Sequence, residues 1–289
     1  MKVSTRVAKG EEIAQKLAQF AVEALTEEVR LTPKPGLVDS NNNGTHHDLT
    51  LALMEKSANA LRDCFYEMSI ASVDQQPSQY LRERLAAIGR FGEQEMLKAT
   101  GKVNTHKGAI WALGLLTGAA SLLISREYGE VTAEKILSAA GAIALFNDRN
   151  IPVQHTHGSE VRKIYQVRSA REEAALGFPS LRETALPAWE AYAGDTEEIR
   201  RLNVLLALMA VVDDTCILHR SNMNVLQEVQ KQAAAILKGG GLRVIANWKP
   251  YTLLDQYITK QWVSPGGSAD LLAATIFIQK ITQHFKFNS

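Results

Sequence analysis

Ala109-Ile-Trp-Ala-Leu-Gly-Leu-Leu-Thr-Gly-Ala-Ala-Ser-Leu-Leu-Ile124 runs without a charged residue, and its reading decides the fold. It falls short of the roughly 20 apolar residues a membrane span needs and is diluted by small side chains. We read it as the central helix of a soluble bundle. Gly114 and Gly118 would let neighbouring helices come close, at a cost of about 1 kcal/mol each in helix propensity. Directly before it stands Thr100-Gly-Lys-Val-Asn-Thr-His-Lys-Gly108, a polar and basic loop between two apolar helical patterns. Such a loop is more often a site than a scaffold.

Working outward, Leu81, Leu85, Ile88 and Met96 recur at helical spacing and predict a helix over about 78–99, with Gly89 and Gly92 marking a close crossing. Ile13, Leu17, Phe20, Ala21, Ala24 and Leu25 predict another over about 11–30, and Leu53, Met54, Ala58, Leu61, Phe65 and Met68 a third over about 49–72. Between these two, Thr32-Pro-Lys-Pro-Gly36 forces an extended passage, since each proline fixes its own φ and disfavours helix in the residue before it. Helical spacing returns over about 131–146, 196–215, 222–237 and 251–261, and in a last helix after Ser268 that runs to about Phe285. From Asn147 to Pro187 the pattern breaks into short pieces punctuated by glycine and proline, which suggests a cover over a pocket. No alternating strand and no internal repeat occurs. The expected fold is all-α, a single globular multi-helix domain over residues 1–289 with a loop-lined cleft.

With 32 basic and 31 acidic residues in 289, no general field draws the chain to nucleic acid or to an anionic membrane. Met1 to Gly10 leads into Glu11 and Glu12 without the apolar core of a secretory signal, so a cytoplasmic location is expected. Cys64 and Cys216 have neither metal-knuckle spacing nor the number of a disulfide framework, and both read as buried thiols. Neither G-x-x-x-x-G-K-[ST] nor G-x-G-x-x-G is present, so the common nucleotide folds are not supported.

Several stretches carry chemistry. Asp39 and Asp48 flank an Asn/Gly/His turn and could share a hard cation such as Mg²⁺, although Asp48 could equally cap the following helix. Lys34, fixed between two prolines, is a stiffly held cation that could meet phosphate. Asn104, Thr105 and His106 offer hydrogen bonds, and Lys107 adds charge at a helix N-terminus that already favours anions. Glu95, about two turns before that loop, could be a base or a metal ligand. Asp213 and Asp214 follow an apolar helix and lead into His219-Arg220; buried unpaired they would be costly, which asks for a cation or arginine partner. Ser264-Pro-Gly-Gly-Ser-Ala-Asp270 is a glycine turn opening a helix, able to cradle phosphate or simply to cap. His155 and His157 alternate in a loop, and Arg171 with Glu173 precedes Gly177-Phe-Pro179.

Together these stretches resemble the triphosphoribosyl-dephospho-CoA synthase family. The matching residues are Thr32 to Asp39, Glu95 to Thr100, Val103 to Ile110, Gly177 to Pro179, Asp214-Thr215 and Ser264 to Leu272. They span most of the chain in the expected order. The resemblance implies an all-α cytoplasmic transferase that joins ATP to 3′-dephospho-CoA and releases adenine. Its product would be the prosthetic-group precursor for the acyl carrier protein of citrate lyase or malonate decarboxylase. Trp111 and the run Asp214 to Arg220 look more like the malonate decarboxylase branch. Ser221-Asn222 and Glu172 stand where the family usually has glycines, which alters local loop shape.

The chemistry so implied is glycosyl transfer, which must neutralise about four negative charges on ATP, take a proton from a hydroxyl and give one to adenine. We expect Mg²⁺ to be held by some of Asp39, Asp48, Asp214 and Asp270. Lys34, Asn104, Thr105, Lys107, Arg171, Arg220, Ser264, Gly266, Gly267 and Ser268 are the expected substrate contacts. Glu95 or Asp213 is the expected base, and His106 the proton donor to adenine or a phosphate ligand. A helical metal phosphohydrolase is the rival reading, because His47-Asp48 with His106 and Asp214 mimics its scattered ligand set.

Overall fold

The computed structural model describes residues 2–126, 130–151 and 157–286, and every regular element among them is helical. The uncharged run forms α5 (Lys107–Ser125), and α1 (Lys2–Arg30), α3 (Arg62–Ser72), α4 (Gln79–Ala99), α6 (Ala133–Ala144) and α14 (Gly266–His284) pack most extensively on it. Its composition explains how so many neighbours fit. A Cβ at Gly114 would meet Met68 Sδ at 2.7 Å, and one at Gly118 would meet Leu85 Cδ1 at 2.8 Å. Between Ala109 and Ile124 only Trp111 and Leu123 keep appreciable exposure. By length and hydropathy this helix could cross a membrane, yet 78% of its apolar window is buried against the rest of the chain. It is the core helix of an all-α domain, as expected.

The other helices follow their sequence signals at the caps. Thr50, Ser78, Thr132 and Thr196 each accept a backbone N–H with the side-chain oxygen, opening α2 (Leu51–Ala60), α4, α6 and α10 (Glu197–Met209), the arrangement that satisfies an orphan helix donor. The single helix expected over 49–72 is broken at Leu61, a fully buried residue, so that α2 rests on α1 and α4 while α3 reaches α5. The helix expected to end with Asp213-Asp214 stops at Met209, and α11 (Thr215–Arg220) begins afresh after Asp214.

The stretch read as loop-rich contains α7 (His157–Tyr165), α8 (Ala170–Ala175), a π-helical turn over Ser180–Ala185 and α9 (Leu186–Ala191). Ser169 and Glu172 form a capping box on α8, a reciprocal pairing of two orphan donors. α7 packs on α11, where the Tyr165 hydroxyl donates to the Ser221 carbonyl at 3.3 Å. α8 lies against α6 and α5, and Trp111 Nε1 donates to the Ala170 carbonyl at 3.2 Å. Finally α12 (Met223–Lys238) packs on α10 and α13 (Trp248–Gln261). One apolar cluster runs from Ile13 to Ile281, with a small satellite of Val29, Val38 and Leu49 beneath the proline-rich passage.

Candidate active site

The proline-rich passage is a fixed turn, not a free loop. Asp39 is buried and its carboxylate is fully engaged: Oδ2 accepts from Lys34 N at 2.9 Å, and Oδ1 accepts from Asn41 N at 2.7 Å and Asn42 N at 3.0 Å. Gly44 closes the turn at φ 56°, where a Cβ would collide with the Gly36 backbone; only glycine adopts that geometry cheaply. The turn is then tied to two distant segments. The Thr45 hydroxyl donates to the Val263 carbonyl at 2.8 Å, while Arg220 donates to the Thr45 carbonyl at 2.9 Å and meets His46 Nδ1 at 3.1 Å. His46 Nε2 in turn meets Ser264 Oγ at 3.0 Å. Burial, with Arg220 second, lowers the His46 pKa to about 4.

Asp214 joins the next pair of elements. Its Oδ1 accepts from Cys216 N at 3.0 Å and caps α11; its Oδ2 accepts from Ser268 N at 2.9 Å and Ser268 Oγ at 3.1 Å, and Gly267 N–H also donates to it, so the same carboxylate caps α14. Burial raises its pKa while these donors pull it down. Backbone and hydroxyl donors therefore stand where a cation or arginine partner was expected, and they offset part of the burial, whose net effect still raises the pKa. The glycines serve close approach: a Cβ at Gly267 would lie 3.2 Å from Asp214 Oδ2, and one at Gly266 3.0 Å from Cys216 Sγ.

The chemistry-bearing cluster lies at the first turn of α5. A Cβ at Gly108 would run into Asp270 Oδ2 and lie 3.1 Å from its Cγ, so the carboxyl sits on the helix N-terminus, where partial positive charge favours it. Asp270 has no hydrogen-bond donor among the described residues, and part of its surface stays open. Burial first, then the neighbouring Glu28 and Asp214 charges, push its carboxyl well above the usual carboxylate range. Glu28, 5% exposed, accepts from Lys34 Nζ at 2.5 Å through Oε1, and its carbonyl accepts from the same ammonium at 2.7 Å. His106 completes the group: Nδ1 lies 2.7 Å from Ser57 Oγ, itself 2.5 Å from Thr105 Oγ1, while buried Nε2 has no partner among the described residues. Burial, with Lys34 second, brings the His106 pKa down to about 4, so the ring is neutral at pH 7.

Several sequence expectations need correction. Glu95 is half on the surface, paired with Lys98 Nζ at 2.6 Å, and Asp213 is exposed, so neither reaches the cluster. His106 is in place, but burial favours its neutral form, a far weaker proton donor than an imidazolium. Asp39 and Asp214 spend their oxygens on backbone donors, Asp48 is 65% exposed, and no three His, Cys, Asp or Glu residues among those described could hold a metal ion together. The four-acid Mg²⁺ set is therefore not assembled. The rival ligand set is likewise not gathered among the described residues, and His47 stacks on Trp262 with ring centroids 4.5 Å apart.

The expected phosphate contacts fare similarly. Lys34 is consumed by Glu28, Lys107 by Glu93 at 2.5 Å, and Asn104 accepts from Lys107 N at 3.3 Å. Gly267 and Ser268 donate to Asp214, Ser264 faces His46, and Arg220 ties down the Thr45 turn. Gly266 meets Cys216, and Arg171 is exposed with its guanidinium on Asn147 Oδ1. His155 lies outside the described residues, and His157 opens α7. Cys64 is buried, its thiol pushed up to about 12, but Cys216 is exposed beside Asp214 and Asp270, contrary to expectation.

Glu28, missed from sequence, was findable. It continues the apolar stripe Leu17, Ala21, Ala24, Leu25 at helical spacing, and an acid on an inward face needs a partner.

The arrangement thus offers one accessible, undonated carboxyl at a helix N-terminus, backed by a buried Glu–Lys pair and a neutral histidine. Residues 14–289 match the model of a family described as CitG, ATP:dephospho-CoA triphosphoribosyl transferase. A relative from Pseudomonas syringae pv. syringae (strain B728a), named probable 2-(5''-triphosphoribosyl)-3'-dephosphocoenzyme-A synthase, is 45% identical over 269 residues, covering 92% of this chain and 91% of its own. One from Klebsiella pneumoniae, named 2-(5''-triphosphoribosyl)-3'-dephosphocoenzyme-A synthase, is 42% identical over 267 residues, covering 92% of this chain and 94% of its own. No solved structure matches the chain.

Proposed function

The chain belongs to the ATP:dephospho-CoA triphosphoribosyl transferase family, and from that premise we propose that it moves the triphosphoribosyl group of ATP onto the 2′-hydroxyl of 3′-dephospho-CoA. The C1′–N9 bond of ATP breaks with its electron pair leaving on adenine, a C1′–O bond forms, the hydroxyl loses a proton and adenine gains one. Asp270 is the observation that carries the assignment to this site. Among the described residues it meets no donor, part of its surface stays open at the first turn of α5, and burial, followed by the Glu28 and Asp214 charges, raises its proton affinity.

Asp270 and Glu28 are the residues that would hold Mg²⁺, because the two carboxyl groups are neighbours and only Glu28 is paired, with the Lys34 ammonium. One or two carboxylates plus substrate phosphates is how proteins usually bind that ion. When bound it would neutralise phosphate charge. Where no cation holds it, the Asp270 carboxyl keeps its proton more tightly than an ordinary carboxyl does, the property a proton donor to adenine needs; general acid catalysis of that kind contributes about 10² to 10⁴ in rate. Neutral His106 acts as a hydrogen-bonding prop for the Thr105 loop. Trp111 and the run Asp214 to Arg220 favour a product destined for the acyl carrier protein of malonate decarboxylase over that of citrate lyase, made in the cytoplasm.

Incubation with ATP, Mg²⁺ and dephospho-CoA, read by chromatography and mass analysis, tests the reading. Adenine and a triphosphoribosylated dephospho-CoA are expected in equal amounts from the wild type, and neither from Asp270→Asn. Free phosphate without adenine would overturn the activity, and undiminished turnover by the variant would overturn the site.

A further inference from the structure

Three arginines gather one turn further along α5 from Gly108, and nothing above uses them together. Arg82, on α4, is 5% exposed, yet its Nε has no hydrogen-bond partner among the described residues. Its guanidinium carbon lies 4.8 Å from the Trp111 ring centroid. Burial lowers its pKa; Asp148 counteracts this, and the Arg171 and Arg90 charges reinforce it. Asp148 is already taken by Arg90 at 2.5 Å, and the nearby Glu83 by Arg149 at 2.7 Å. Both carboxylates that act on Arg82, Asp148 and Glu83, are thus held by other arginines, and the Arg90 and Arg171 charges lie close by. Leaving a buried guanidinium so poorly compensated costs free energy unless an anion completes it.

Position says which anion. Trp111 follows Gly108 by three residues, a rise of about 4.5 Å on the same side of the helix. Arg171 also lines a hollow of about 320 Å³ beside α8, with Leu145 and Arg162 on its wall. We infer that Arg82, Arg90 and Arg171, with Trp111 beneath Arg82, form an oligophosphate subsite adjoining Asp270, rich in the guanidinium forks that pair bidentately with phosphate. The inference rests on the transferase reading, under which both the ATP triphosphate and the dephospho-CoA diphosphate are such chains. The subsite takes one of them while the Asp270 end faces the reacting sugar.

The test uses the full chain, inorganic tripolyphosphate as the probe, and the variants Arg82→Gln and Arg90→Gln, each first checked for an unchanged helical spectrum. Removing Arg90 frees Asp148 to pair with Arg82, so this half-exposed position tests the subsite even where the Arg82 variant fails to fold. Calorimetry should show tripolyphosphate binding to wild type weakened about ten- to hundredfold in either variant, the size of one lost charged hydrogen bond. In the adenine assay the KM for one substrate should rise by a similar factor. A rise confined to ATP assigns the triphosphate, and one confined to dephospho-CoA the diphosphate. Folded variants with unchanged tripolyphosphate binding and both KM values intact would overturn the subsite and leave the arginines as staples for residues 147–149. A wild type that releases no adenine would overturn the transferase reading alone, with the calorimetric arm still deciding the subsite.

Discussion

Gly108→Ala separates position from stability at the site. The new methyl would overlap Asp270 Oδ2 and sit 3.1 Å from Cγ, so the carboxyl, the free end of its side chain, must swing aside. Holding it away from its rotamer costs about 0.5–1.5 kcal/mol. Replacing glycine by alanine in a helix returns up to about 1 kcal/mol. The two nearly cancel, and for a chain of this size the thermal midpoint should stay within about 4 °C of wild type. Turnover should behave differently, since a displacement of about 1 Å in a reacting group can cost about 10²-fold in rate. Differential scanning calorimetry and adenine release on the same preparation read both quantities. A variant that melts normally and releases adenine within about threefold of wild type would refute the claim that Asp270 acts from the first turn of α5.

Other consequences follow from the same geometry. Gly118→Ala is the mirror case: a Cβ 2.8 Å from Leu85 Cδ1 overpacks the core, so chemical denaturation should show a loss of about 1–3 kcal/mol while activity per folded molecule is retained. Asp214→Ala removes the cap of both α11 and α14 and should lower stability by about 2–4 kcal/mol in urea melts, whereas a metal-ligand role alone would spare the metal-free protein. For Asp270, the folded carboxyl binds its proton more tightly than the unfolded one. Its contribution therefore opposes folding increasingly as pH rises above the unfolded value near 4. Asp270→Asn should accordingly melt higher than wild type at pH 8 and converge with it near pH 4. Mg²⁺ should raise the wild-type midpoint more than that of the variant, and equal shifts in both would remove Asp270 from the cation's ligands.

The fold was legible wherever hydrophobic period alone decides structure. The uncharged Ala109–Ile124 run became α5 because its small residues admit neighbours on nearly every side, and the serine and threonine caps fall where the helices begin. Composition could not show the break at Leu61, which depends on which neighbours α2 and α3 find. At the site, chain order brought the correct loops together, as the Lys34, Asp39, Asp214 and Ser264–Asp270 segments show. Roles within them were not legible, because a carboxylate's partners are set in three dimensions. Asp39 and Asp214 read as metal ligands, yet local N–H groups satisfy them. Glu95 read as a base, yet its rotation about α4 aims it at Lys98 and solvent. The more useful signal was a charge lying inside an apolar stripe: Glu28 after Leu25, Arg82 after Leu81, Asp270 between Ala269 and Leu271. Each is an ion that burial penalises until a partner or ligand answers it.

The most direct measurement is adenine release from ATP in the presence of Mg²⁺ and dephospho-CoA, with wild type and Asp270→Asn assayed side by side and the coenzyme product weighed by mass spectrometry. Adenine and a triphosphoribosyl adduct are expected in equal amounts from the wild type, with a loss of at least about 10² in rate for the folded variant. Equal rates from the two proteins, or hydrolysis of ATP to free phosphate with adenine still attached, would contradict this expectation.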